Sequence, residues 1–142
     1  MFERYTEKAR RVIFFARYEA SQFGDVAIEP EYLLLGLLRE DERLLRWLFP
    51  SGAVSSDSIR KQVEARKPPG EKVPTSVELP LSPQSKRVLA YAHEESDMLN
   101  DRHIGTEHLI VGLLREEESI ASHILYGLGL RLPTVREILA QK

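Results

Sequence analysis

The sequence contains no cysteine, which excludes disulfides, thiolate nucleophiles and cysteine-ligated zinc and fits a reducing compartment. It also lacks any apolar run near the roughly 18 to 20 residues that a membrane-spanning helix needs. The longest, Tyr32 to Leu38, is interrupted by Gly36. Nor is there an excess of either charge. Twenty Lys and Arg against 22 Asp and Glu leave a net charge of -2, so the overall balance draws the chain neither to nucleic acid nor to an anionic membrane. The opening Met1-Phe2-Glu3-Arg4-Tyr5 brings in acid at once and no apolar segment follows, unlike a signal peptide. Together these absences predict a cytoplasmic protein with neither a membrane nor a nucleic-acid partner. What is present, 42% hydrophobic and 30% charged residues over 142 positions, is the composition of a folded domain able to bury a core.

Catalytic patterns are missing too. Gly70-Glu71-Lys72 has neither the glycine spacing nor the Ser or Thr of a phosphate-cradling loop, so ATP hydrolysis is not expected. His93-Glu94-Glu95-Ser96-Asp97 has the start of a metalloprotease helix, but the fifth position must be a second imidazole and is Asp97. His103, His108 and His123 assemble into no nucleophile-and-base arrangement by spacing, and read as residues of helix starts and surfaces. The run Arg39-Glu40-Asp41-Glu42-Arg43 interleaves signs and reads as a solvated face. No enzyme, cofactor or metal is expected.

The informative feature is an internal repeat. Sliding the chain along itself by 76 residues aligns two halves without a gap. Glu31-Tyr32-Leu33-Leu34-Leu35-Gly36-Leu37-Leu38-Arg39-Glu40 falls on Glu107-His108-Leu109-Ile110-Val111-Gly112-Leu113-Leu114-Arg115-Glu116, with seven of ten positions identical. Arg11, Val12, Ala16, Glu19, Asp25, Ile28, Glu42 and Arg60 also recur 76 residues later. The chain therefore reads as one domain, 1–142, made of repeat one (2–66), a Pro- and Gly-marked linker (67–77) and repeat two (78–142).

Within each copy the apolar spacing is helical. Val12, Phe15, Ala16, Glu19 and Phe23, like Val88, Tyr91, Ala92, Glu95 and Leu99, mark one face of a long first helix. Thr6 and Ser82 stand as its N-caps, Pro83 at a first helical position, and Gly24 and Asn100 at its ends. A second helix is predicted over 30–40 and 106–116, a third over 44–49 and 120–125, and a fourth from near Asp57 and Pro133. No stretch alternates as a strand would. The fold class is all-α, with eight helices in two pseudo-twofold-related four-helix repeats. Leu33, Leu37, Leu44, Leu48, Ile59 and Val63, with their counterparts 76 residues on, are the expected core.

The motif Ile104-Gly105-Thr106-Glu107-His108-Leu109-Ile110-Val111-Gly112-Leu113-Leu114-Arg115-Glu116 closely resembles the paired Gly-Thr-Glu-His signature of the Clp N-terminal (Clp R) domain found on ClpC-type AAA+ unfoldases. The opening Phe2-Glu3-Arg4-Tyr5-Thr6-Glu7-Lys8-Ala9 is similar to that family's start, and the resemblance covers essentially the whole chain. It implies a non-enzymatic recognition domain that docks adaptors, or substrates marked by arginine phosphorylation, for a ClpP-coupled motor. It also leaves open a stand-alone accessory role, similar to that of small plant Clp proteins, in which the chain regulates assembly on the Clp ATPase or ClpP without touching substrate.

The resemblance places a phosphoarginine-like site at Gly105, Thr106 and Glu107. A helix starting there aims unpaired N–H groups and the positive end of its dipole at a phosphate. Thr106 adds a hydroxyl donor, and Glu107 offers a carboxylate to the guanidinium. Without the resemblance, Thr106 and Glu107 read as ordinary helix caps. In the first copy the matching stretch is Ile28-Glu29-Pro30-Glu31-Tyr32. Pro30 has no N–H, and Glu29 adds a charge that would cost on the order of 3 kcal/mol against a dianion about 5 Å away at an effective dielectric near 20. Glu31 alone survives there, as a degenerate second site.

Overall fold

A computed structural model describes residues 2–141. Eight helices follow in order: α1 (Glu7–Phe23), α2 (Pro30–Glu40), α3 (Arg43–Leu48), α4 (Ser56–Arg66), α5 (Pro83–Met98), α6 (Thr106–Arg115), α7 (Ile120–Gly127) and α8 (Leu132–Ala140). The chain is all-α; among the described residues there is no strand, only two isolated bridges. The cap chemistry is that expected. Thr6 accepts from the Ala9 N–H at 3.1 Å and Ser82 from the Ser85 N–H at 3.1 Å. Gly24 (φ 75°) and Asn100 (φ 57°) turn the chain off the first helix of each repeat in the left-handed region. By contrast the cap residues of α2 and α6, Glu29 and Gly105, make no side-chain cap hydrogen bond.

Those two helices form the centre. Pro30 to Leu38 are all buried, as are Thr106 and His108 to Leu114. Such all-round burial suits a helix enclosed on every side rather than amphipathic. α2 and α6 pack on each other, α1 covers α2, and α5 covers α6. The expected core residues are buried, except that Ile120 is only half-buried at the start of α7. On the first helices Phe15 and Tyr91 are also half-buried, roofed by the Arg39 and Arg115 guanidiniums at 4.9 and 4.2 Å from their ring centres.

The repeated glycine of the second helix is explained by this crossing. A Cβ on Gly36 would stand 2.6 Å from the Val12 carbonyl oxygen, and one on Gly112 would stand 2.5 Å from that of Val88. Because the obstacle is backbone, a methyl group there must push two helices apart, at a typical cost of about 1–3 kcal/mol or more. Gly36→Ala and Gly112→Ala are each expected to lower the thermal midpoint by several degrees in circular dichroism. An unchanged midpoint in both would show that the crossing is slack.

Most identical charged positions are structural as well. Glu19 is bound by both nitrogens of Arg60, at 2.9 and 2.7 Å, and Glu95 by Arg136 at 3.1 and 2.7 Å. Arg11 pairs with Glu40 and Arg87 with Glu116, at 2.7 Å each. The run 39–43 is thus less solvated than its alternating signs imply, since Glu40 is nearly buried in its pair.

The two repeats interlock. The Thr6 N–H donates to the Ile104 carbonyl (3.0 Å) and the Ile104 N–H to that of Arg4 (2.9 Å). Related by the pseudo-twofold, the Ser82 N–H donates to Ile28 (3.1 Å) and the Ile28 N–H to Pro80 (2.8 Å). Each copy's leading segment is therefore laced to the start of the other copy's second helix. The segment after α4 is also held: the Gly70 and Val73 N–H groups donate to the Phe23 and Ser21 carbonyls, at 2.9 and 2.8 Å.

Candidate functional site

The α6 start lies where repeat two meets the turn after α2 of repeat one. A cleft of about 330 Å³ opens there, lined by Asp41, Arg43, Leu44, Trp47, Thr106 and Glu107. Gly105 is the cap residue, and its own N–H donates to His108 Nδ1 at 2.9 Å. With Nδ1 accepting, the ring proton sits on Nε2 and is donated to Asp101 at 2.8 Å. His108 is 2% exposed, so it is a structural residue of a helix start, as its position suggested, but buried rather than at the surface. Thr106 is buried, and its hydroxyl donates to Asp41 Oδ2 at 3.1 Å rather than standing free. The Glu107 carboxylate folds back over Gly105, where any Cβ would collide with its Oε1. A glycine at 105 is thus what lets that carboxylate lie against the helix start.

Chemically the cleft holds both signs. Asp41 and Glu107 supply acceptors suited to a guanidinium. The α6 N-terminus and the exposed Arg43, 3.8 Å from Asp41, supply positive potential, and Leu44 and Trp47 supply an apolar wall. Asp41, Arg43 and Trp47 come from the opposite repeat, so no spacing within one copy identifies them.

The first-copy cleft is built from the equivalent elements, with a volume of about 420 Å³ and a lining that includes Glu29, Glu31, Lys67, Ser82, Gln84 and Glu118. Glu31 is 3% exposed. Lys67, missed by sequence reasoning, occupies its carboxylate: Nζ lies 2.8 Å from Glu31 Oε2, 2.5 Å from Asp25 Oδ2 and 5.0 Å from the Tyr32 ring centre. The Tyr32 hydroxyl donates to Asp25 at 2.8 Å, as His108 does to Asp101 in the second copy. Burial works against the charged forms of both Lys67 and Asp25. Their mutual pairing outweighs it, so the Lys67 pKa is raised and the Asp25 pKa lowered. The structure brings Gly105, Thr106 and Glu107 together in one cleft and leaves Glu31 in the other, already paired with an ammonium.

The remaining titratable candidates are scattered. Arg4 Nη1 lies 2.7 Å from His93 Nε2 and 2.9 Å from Asp97, tying the leading segment to α5. His103 and His123 are exposed. Among the described residues no group of three or more His, Asp or Glu is placed to hold a metal ion, and no helix is long and apolar enough to cross a membrane.

Residues 4–128 match the family of the Clp repeat (R) N-terminal domain. The chain belongs to that family. Among curated relatives it is 40% identical over 129 residues to the chloroplastic chaperone protein ClpC of Pisum sativum, covering 91% of this chain and 14% of that protein. It is 33% identical over 141 residues to the negative regulator of genetic competence ClpC/MecB of Bacillus subtilis, covering 99% and 17%. The chain thus spans about a sixth of the length of such relatives, and their ATPase part is not in it. The N-terminal domain of the chaperone ClpD from Arabidopsis thaliana superposes with a TM-score of 0.76 at 29% identity over 97% of this chain and 93% of that one. The Hsp104 N-terminal domain from Candida albicans shares the fold alone, with a TM-score of 0.75 at 19% identity over 96% and 89%. The Clp repeat domain is therefore a module of Clp ATPase systems.

Proposed function

We propose that this Clp repeat domain receives adaptors or substrate proteins for a Clp ATPase and protease system, and that its α6 cleft takes segments marked by arginine phosphorylation. The observation that carries this reading is the meeting in one cleft of two carboxylates, Asp41 and Glu107, with a helix N-terminus and Arg43. A phosphorylated guanidinium carries both charges and needs both kinds of partner. Binding requires the Thr106 hydroxyl to turn from Asp41 to the phosphate, which frees Asp41 for the guanidinium. The first-copy cleft is a poorer receiver because Pro30 removes a donor, Glu29 adds repulsion and Lys67 already neutralises Glu31.

Losing one charged hydrogen-bonding partner costs about 1.5–3 kcal/mol, which is roughly a ten- to 150-fold loss of affinity. Glu107→Gln should therefore weaken binding of a phosphoarginine peptide by that factor in fluorescence anisotropy, while Glu31→Gln changes it less than about twofold. Capture experiments test the broader role. Immobilised domain should retain arginine-phosphorylated casein and release it to free phosphoarginine. Retention of purified Clp ATPase or ClpP with no retention of any phosphorylated protein would point instead to regulation of assembly.

A further inference from the structure

The internal repeat serves as a control for the surface, because whatever the fold requires of one copy it also requires of the other. α1 and α5 share their buried residues, Val12 with Val88, Ala16 with Ala92 and Glu19 with Glu95. Their outward strips differ. α1 presents Arg10, Phe14, Arg17 and Tyr18, where α5 has Lys86, Ala90, His93 and Glu94. Phe14 is 66% exposed and Tyr18 40%. Since Ala90 and Glu94 satisfy the same positions in the same fold, the two aromatics are not there for packing.

The charge on the strip is also compensated only in part, with Glu3 the acid beside Arg10. Arg10 donates to the Phe2 carbonyl (3.2 Å) and Arg17 to that of Val77 (2.8 Å), both neutral acceptors. Arg39 lies over Phe15 and Tyr18, at 4.9 and 5.3 Å, and its nearest acid is Glu19, 3.8 Å away and already held by Arg60. In the second copy Glu94, standing where Tyr18 stands, binds Arg115 at 3.2 Å and cancels that charge. At the leading end of the strip a shallow cleft of about 470 Å³, lined by Phe2, Glu3, Arg10, Ile13 and Phe14, is wide enough for one large apolar side chain.

We infer that the α1 strip of Arg10, Phe14, Arg17 and Tyr18 docks an acidic segment of a partner protein that carries a large apolar anchor. Charge complementarity selects this occupant: guanidiniums flanking exposed rings favour carboxylates flanking an apolar side chain. A second copy of this chain is disfavoured, because pairing two such strips about a twofold sets Arg10, Arg17 and Arg39 against their own kind. The surface centres on α1, with Phe2 and the Arg39 guanidinium beside it, and shares no lining residue with the α6 cleft.

The test uses three labelled amphipathic peptides of 16 residues that share Leu and Phe at helical i, i+3, i+4 and i+7 spacing and carry Glu, Gln or Lys elsewhere. The Glu peptide should bind the whole chain at least about tenfold tighter than the Gln peptide, with an affinity that falls as salt rises, and the Lys peptide should not bind. Phe14→Ala/Tyr18→Glu, which installs the residues of the second copy, should reduce Glu-peptide binding by about tenfold or more. The circular dichroism melt and phosphoarginine binding should be unchanged. Equal binding of the Glu and Gln peptides, or an undiminished affinity in the double variant, overturns the inference. So does tighter binding of the strip to anionic vesicles or to a dT oligonucleotide than to any peptide.

Discussion

Arg60→Met is expected to destabilise the domain by about 3 kcal/mol, the lower end of what unpairing a buried ion costs, because the arginine side is partly solvated. Glu19 is 2% exposed. Once Arg60 is gone, its carboxylate keeps only Arg39, 3.8 Å away and beyond hydrogen-bonding distance. The second copy provides the comparison. Glu95 is equally buried, but Arg115 hydrogen-bonds it at 3.1 Å alongside Arg136. Arg136→Met should therefore cost less, about 1–2 kcal/mol. Urea titrations of the two variants should show midpoints ordered wild type, Arg136→Met, Arg60→Met, with a common slope. Equal losses would mean that Arg39 moves in to replace Arg60, and that the asymmetry read from the distances is erased by relaxation.

Lys67→Met should show an effect of similar size that depends on pH. At neutral pH it leaves Asp25 and the buried Glu31 facing one another without their shared ammonium, at an expected cost of about 3 kcal/mol. The sign follows from the two shifts. The Asp25 pKa is lowered in the fold, so its contribution is present above the ordinary value of 3.8 and is lost as pH falls through the lowered one. The Lys67 pKa is raised, so its contribution is full below 10.5 and is lost as pH rises through the raised value. Wild type and variant should therefore differ most between about pH 4 and 10, and the difference should shrink as pH falls below 3.8 towards the lowered Asp25 value. Denaturation at pH 7 and pH 3 checks this. A penalty that is the same at both values would assign the loss to the packing of the lysine stem instead of to its charge.

The fold was largely legible in the sequence because its determinants are local and repeated. Thr6, Ser82, Gly24 and Asn100 signal helix ends by their own chemistry, and the 76-residue period marks the packing positions twice. The repeat also concealed something. Arg11, Glu19, Glu42 and Arg60 recur, and recurrence alone does not say that Arg60 reaches Glu19 from α4 while Glu42 stays exposed. The candidate site was legible only in part. Gly105, Thr106 and Glu107 are consecutive, so a motif can show them. Asp41, Arg43 and Trp47 reach the same cleft through the interlocking of the repeats, a relation between positions about 65 residues apart that no periodicity within either copy encodes. Lys67 lies at the border of a stretch read as a linker, where a lysine is usually solvated; only the fold turns it onto Glu31.

The claim that the two copies share a scaffold but divide in function, with recognition placed at α6, is tested most directly by isothermal calorimetry of a phosphoarginine peptide against the whole chain and its Glu107→Gln and Glu31→Gln variants. The account predicts one site per chain, lost or weakened about ten- to 150-fold in Glu107→Gln and kept in Glu31→Gln. Two equivalent sites, or equal losses in both variants, would contradict it.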